Sequence, residues 1–169
     1  MFSKLKESLK RLEDSNEFNN WKSKNKKSYF CSAFVMGADL EKENWQLDFY
    51  NPEKDKITSF KLNGCIEVLE EEGIFKKPKE KVNELKLNKV KIDFDKAIEI
   101  FEDFKSKKYP SEDPEKKIVI LQNLKNTVWN ITYICTSFNI LNIKINAITG
   151  SVEQDTITSI FNFKVKDKK

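Results

Sequence analysis

The chain has 169 residues, 38% apolar and 34% charged, with 31 basic against 27 acidic side chains and a net charge of +4. That is enough apolar material for a packed core, without the low hydrophobicity of a disordered chain or an apolar run of about eighteen residues for a membrane span. It contains no histidine, which removes the usual general base of a Ser-His or Cys-His pair and the commonest metal ligand.

Taken in order, residues 3 to 18 read as a helix, with Phe2, Leu5, Leu9 and Leu12 on one stripe and Ser3 as its N-cap. The basic stretch Lys22 to Lys27 reads as a loop. Tyr29 to Gly37 is a nearly continuous apolar run, as in a central strand. Trp45 to Tyr50 and Lys56 to Asn63 come next as strands, joined by Asn51-Pro52-Glu53-Lys54-Asp55, whose residue types favour a turn. Ile66 to Gly73 fits either a short helix or a sheet edge. Lys76 to Lys91 is lysine-rich and reads as an exposed connector. Phe94 to Phe104 is the second helix, with Asp93 as its cap and Ala97, Ile98, Phe101 and Phe104 inward. Lys107 to Lys117 reads as a loop and Ile118 to Gln122 as a strand.

From Val128 onward the period becomes two. Trp129, Ile131, Tyr133 and Cys135 alternate with Asn130, Thr132, Ile134 and Thr136, and Leu141, Ile143 and Ile145 alternate with Asn142, Lys144 and Asn146. The pair forms a hairpin with one apolar and one largely polar side. Trp45-x-Leu47-x-Phe49 lines up with Trp129-x-Ile131-x-Tyr133, and Phe60-Lys61-Leu62-Asn63 with Ile143-Lys144-Ile145-Asn146. Such correspondence points to two copies of one supersecondary unit. The expected fold is α+β, two helix-plus-antiparallel-sheet units packed as one compact protein.

Three stretches resemble the PepSY-type domain family. Val90 to Ile100 resembles the opening of its helix, Trp129-Asn130-Ile131-Thr132-Tyr133 its aromatic-led strand, and Ile143 to Val152 its closing hairpin, although Asn146 stands where that family usually has an acidic residue. The resemblance spans residues 89–152, with an echo over 3–63. It implies a cystatin-like tandem: a first repeat over 1–75, a lysine-rich connector over 76–91 and a second repeat over 92–169. It also implies an inhibitory or binding role linked to peptidases.

Chemistry is sparse. Asp93 and Asp95 are explained as a helix cap and a first-turn charge. Gly37, Gly64, Gly73 and Gly150 are isolated, so no phosphate-cradling loop is present. Cys31, Cys65 and Cys135 are too scattered for a disulfide framework or metal knuckle and read as buried thiols. Together with the charged N-terminus, this gives a cytoplasmic location as the expectation. No catalytic residue, cofactor or metal ligand is assigned. The expected role is a noncatalytic protein- or peptide-binding or regulatory module, with peptidase inhibition as the alternative. Nucleic-acid binding through the lysine stretches ranks below both, no membrane contact is expected, and self-association is left open. The candidate contacts are Tyr50, Asn130, Thr132, Asn142 and Lys144, from the polar parity of the strands.

Overall fold

The computed structural model describes residues 1–73 and 81–165. Helices α1 (Phe2–Glu13) and α2 (Asn16–Lys24) precede strands β1 (Tyr29–Gly37), β2 (Gln46–Asn51), β3 (Lys56–Asn63) and β4 (Cys65–Gly73). Helix α3 (Phe94–Lys108) precedes β5 (Pro114–Asn123), β6 (Thr127–Cys135), β7 (Asn139–Asn146) and β8 (Val152–Ser159). All eight strands join one antiparallel sheet in the order β4-β3-β2-β1-β5-β6-β7-β8. The halves meet at β1 and β5, where Ser32 lies opposite Gln122 and Val35 opposite Val119. Outward from that junction each half runs in chain order. The chain is thus an α+β protein of two helix-plus-antiparallel-sheet units.

Strand parity decides which side chains the helices cover. Ala33, Val35, Leu47, Phe60, Val119, Leu121, Ile131, Leu141 and Ile143 are buried against Leu5, Leu12, Phe18, Phe94, Ala97 and Phe101 of the three helices. Burying each such large side chain stabilises the fold by about 1.5–3 kcal/mol. The two expected core tryptophans are wholly buried, and their rings lie 6.4 Å apart across the junction of the halves. Each indole N–H donates to a carbonyl just before a helix: Trp45 to Met1 O (3.4 Å) ahead of α1, Trp129 to Ile92 O (2.8 Å) ahead of α3. Phe2 of α1 packs edge-on against Trp129, and Phe94 of α3 against both tryptophans.

Several sequence expectations change. The helix expected over 3–18 is two helices, because Ser15 adopts extended backbone (φ −84°, ψ 150°) and its Oγ accepts from Phe18 N at 3.1 Å. A capped new start satisfies an amide that a continuous helix would already have paired, and it redirects Phe18 and Trp21 onto Phe49 and Phe60. Ser3 lies inside α1 and makes no cap; Asp93 does cap α3, accepting from Lys96 N at 2.9 Å. The ambiguous stretch before Gly73 is strand β4, and β5 begins at Pro114, inside the expected loop, where a bulge accommodates its entry. Proline lacks the N–H for a ladder bond, so the first residue of a strand suits it. Cys31 and Cys135 are buried, but Cys65 is exposed at the start of the edge strand β4.

Part of the lysine-rich connector, residues 76–80, lies outside the described residues. The remainder, from Lys81 to Lys91, is tied to the sheet at both ends. Leu85 is buried and its N–H donates to Phe30 O, while Lys91 and Ile92 N–H groups both donate to Ala147 O.

Candidate functional site

With the helices on one face, the other face of the sheet carries the opposite parity. Its polar centre is a cross-strand network. Asn142 Nδ2 donates to Asn130 Oδ1 (2.6 Å) and Thr132 Oγ1 (2.8 Å), with Ile131 O at 3.2 Å. The register explains this, since Asn142 sits opposite Thr132 and Lys144 opposite Asn130. Lys144 Nζ donates to Gln154 Oε1 at 3.0 Å. Four of the five sequence-predicted residues are therefore neighbours, and three of them satisfy one another.

Tyr50 is not part of that group. The strand order places β1 and β5 between β2 and β6, three spacings or about 14 Å. It lies on the helix-free face, as its parity requires, yet keeps only 6% of its surface exposed. Its ring packs edge-on against Tyr29 at 5.6 Å and its Oη donates to Asp55 Oδ1 at 2.5 Å. The expectation of an exposed aromatic fails because the bulge at Cys31 turns Tyr29 beside it.

Two further features of this face stand beside the amide network. Asp48 is a buried carboxylate held by neutral donors: Ser59 Oγ (2.6 Å) and Gln46 Nε2 (2.9 Å) on Oδ1, Ser32 Oγ (2.8 Å) on Oδ2. Beside it, burial first and the Asp48 charge second push the Cys31 thiol up to about 12, so it remains a protonated, unreactive thiol at neutral pH. The second feature is apolar. Phe34, Met36, Ile118, Ile120, Ile134 and Ile140 share the helix-free parity and are half-buried or, like Met36, exposed. A nearly continuous apolar run such as Tyr29 to Gly37 carries this signal, because its two parities are both hydrophobic.

Among the described residues no group of three or more His, Cys, Asp or Glu side chains gathers as a metal-ligand set. No helix among them is long and apolar enough to cross a membrane. The arrangement offers hydrogen bonds, apolar contact and positive charge.

No family model matches the chain, and no curated protein matches it. Among solved structures it is similar to a putative lipoprotein from Clostridium difficile 630, with 19% identity and a TM-score of 0.50, covering 85% of this chain and 91% of that one. At that identity the likeness is one of fold. It corrects the expected cytoplasmic location: the fold is carried by a putative lipoprotein, whereas the expectation rested on scattered thiols and a charged first helix. Neither is a property of the fold, and one of the thiols is exposed.

Proposed function

We propose that the protein is a noncatalytic binding module that engages a protein or peptide partner on the helix-free face of its sheet. The observation that supports this most directly is the unequal covering of the sheet. The helices bury one face, while the other presents Met36 at 38% exposure beside Phe34, Ile118 and Ile120, bordered by the hydrogen-bonded Asn130 and Asn142 amides and the Thr132 hydroxyl. A partner would gain apolar burial from the first group and orientation from the second, without having to break the amide network. The PepSY-type resemblance of residues 89–152 supports a regulatory role, and the likeness in fold to the putative clostridial lipoprotein supports a place outside the cytoplasm.

Peptidase inhibition is a second reading, favoured by one observation. The β6–β7 turn holds Phe138 at φ 63°, the residue 58% exposed with its ring 5.6 Å from that of Phe161, an aromatic side chain presented on a fixed turn. Inhibition assays against serine, cysteine and metallopeptidases would show saturable inhibition that Phe138→Ala abolishes; no inhibition by the wild-type protein eliminates this reading.

For the main reading, the protein is used to capture partners from extracts and surface fractions of its source cell. Met36→Glu combined with Ile134→Ser should weaken the captured interaction at least tenfold while the melting temperature stays within about 3 °C. Undiminished capture by the folded double variant would remove this face from the interaction.

A further inference from the structure

A cleft of about 690 Å³ opens on the helix-free face, bordered by residues 81–83, the β5–β6 turn, Ile57 and Lys144. Its wall is fixed by hydrogen bonds. Tyr29 Oη donates to Val82 O (2.7 Å), Asn83 Nδ2 to Asn123 O (3.2 Å) and Leu124 O (2.8 Å), and Asn123 Nδ2 back to Glu84 O (2.9 Å). Ile57, Val82 and Leu124 supply apolar surface, and three cations, Lys81, Lys125 and Lys144, stand around it with no carboxylate in the lining.

The three ammonium groups have no carboxylate partner among the described residues. Neither Lys81 nor Lys125 forms an ion pair among the described residues, and Lys144 meets only the neutral Gln154 amide. Gln122, on the floor, makes no side-chain hydrogen bond among the described residues. Asp48 lies behind Ser32, but its oxygens are occupied by Ser32, Gln46 and Ser59, so one buried negative charge faces three cations. Cys31 also lines the cleft and stays a neutral thiol. Ammonium groups at the mouth of a partly apolar recess attract anions, and a recess of this size matches that of small-molecule sites.

We propose that this cleft binds a small amphipathic anion, a carboxylate or phosphate carried on an aliphatic body. The charged head pairs with Lys81, Lys125 and Lys144 while the chain lies along Ile57, Val82 and Leu124. Such binding goes beyond partner capture and does not depend on it.

The test is a calorimetric titration of the intact protein with sodium octanoate and with octyl phosphate, beside 1-octanol and inorganic phosphate. At least one of the octyl anions should bind saturably, and the tighter of the two identifies the head group. Octanol and inorganic phosphate should each bind at least tenfold more weakly. The triple variant Lys81→Gln, Lys125→Gln, Lys144→Gln should lose at least tenfold in anion affinity at unchanged melting temperature. A control variant, Lys6→Gln with Lys10→Gln and Lys107→Gln, should keep full affinity, as should Met36→Glu with Ile134→Ser. Octanol or inorganic phosphate binding as tightly as the tighter octyl anion, equal loss in the control variant, full affinity in the triple variant, or no saturable binding of either octyl anion would each overturn the proposal.

Discussion

Glu112 shows how one side chain can hold a turn. It is buried, accepts from Ser137 Oγ on one oxygen and from Asn139 Nδ2 on the other at 2.9 Å, and so braces the β6–β7 turn that presents Phe138. These donors, Ser137 foremost, hold its carboxyl below the ordinary 4.5, against the opposing effect of burial. A carboxylate more acidic when folded than when unfolded stabilises the fold above the unfolded value, and that contribution disappears as pH falls through the folded one. Asp155 behaves likewise, held below the ordinary 3.8 first by Lys108 and then by Tyr109, which both donate to its Oδ2. The melting temperature should therefore fall between about pH 5 and about pH 3, and Glu112→Gln should flatten that fall without abolishing it. Parallel melting curves for the two proteins across this range would show that Glu112 contributes nothing to the acid sensitivity.

Among the elements, α2 depends on a single cap. Ser15→Ala removes the oxygen that accepts from Phe18 N and should cost about 0.5–2 kcal/mol in urea unfolding, while Ser15→Asp should recover most of it. Equal stability of the alanine and serine proteins would mean that the packing of Phe18 and Trp21 alone places the helix. This break also marks where sequence reading stops. Strand assignment succeeded through β6 and β7 because period two separates Trp129 and Ile131 from Asn130 and Thr132 unambiguously. The division after Glu13 stayed hidden because helix-forming side chains occur on both sides of Ser15, and the choice between continuing and capping is settled by Phe49 and Phe60, distant in the chain. The cleft was hidden for a related reason. Val82 and Asn83 have no periodicity, and their position is fixed by hydrogen bonds to Tyr29 and to the β5–β6 turn.

At the scale of the molecule, the paired tryptophans make the halves mutually dependent. Trp129 of the second half packs on Phe2 of the first, on Trp45 across the junction, and on Phe94. Trp129→Ala should cost about 3–5 kcal/mol through lost burial and a residual cavity. The remaining unfolding should be a single transition, superimposable by far-ultraviolet circular dichroism and tryptophan fluorescence; two separated transitions would show that the halves unfold independently. The correspondence of the two tryptophan-led strands was legible in the sequence. That their indoles would meet was not, since it depends on β1 pairing with β5. The same pairing bears on synthesis. Once Gly73 has left the ribosome, the apolar strand β1 lacks its partner until roughly forty more residues bring Pro114 out, and β5 must then emerge in full. At ordinary elongation rates the nascent chain carries an open central edge for about 2–8 s before Pro114 appears. During that interval a second nascent copy on the same messenger, or a chaperone, can occupy the place that β5 will take.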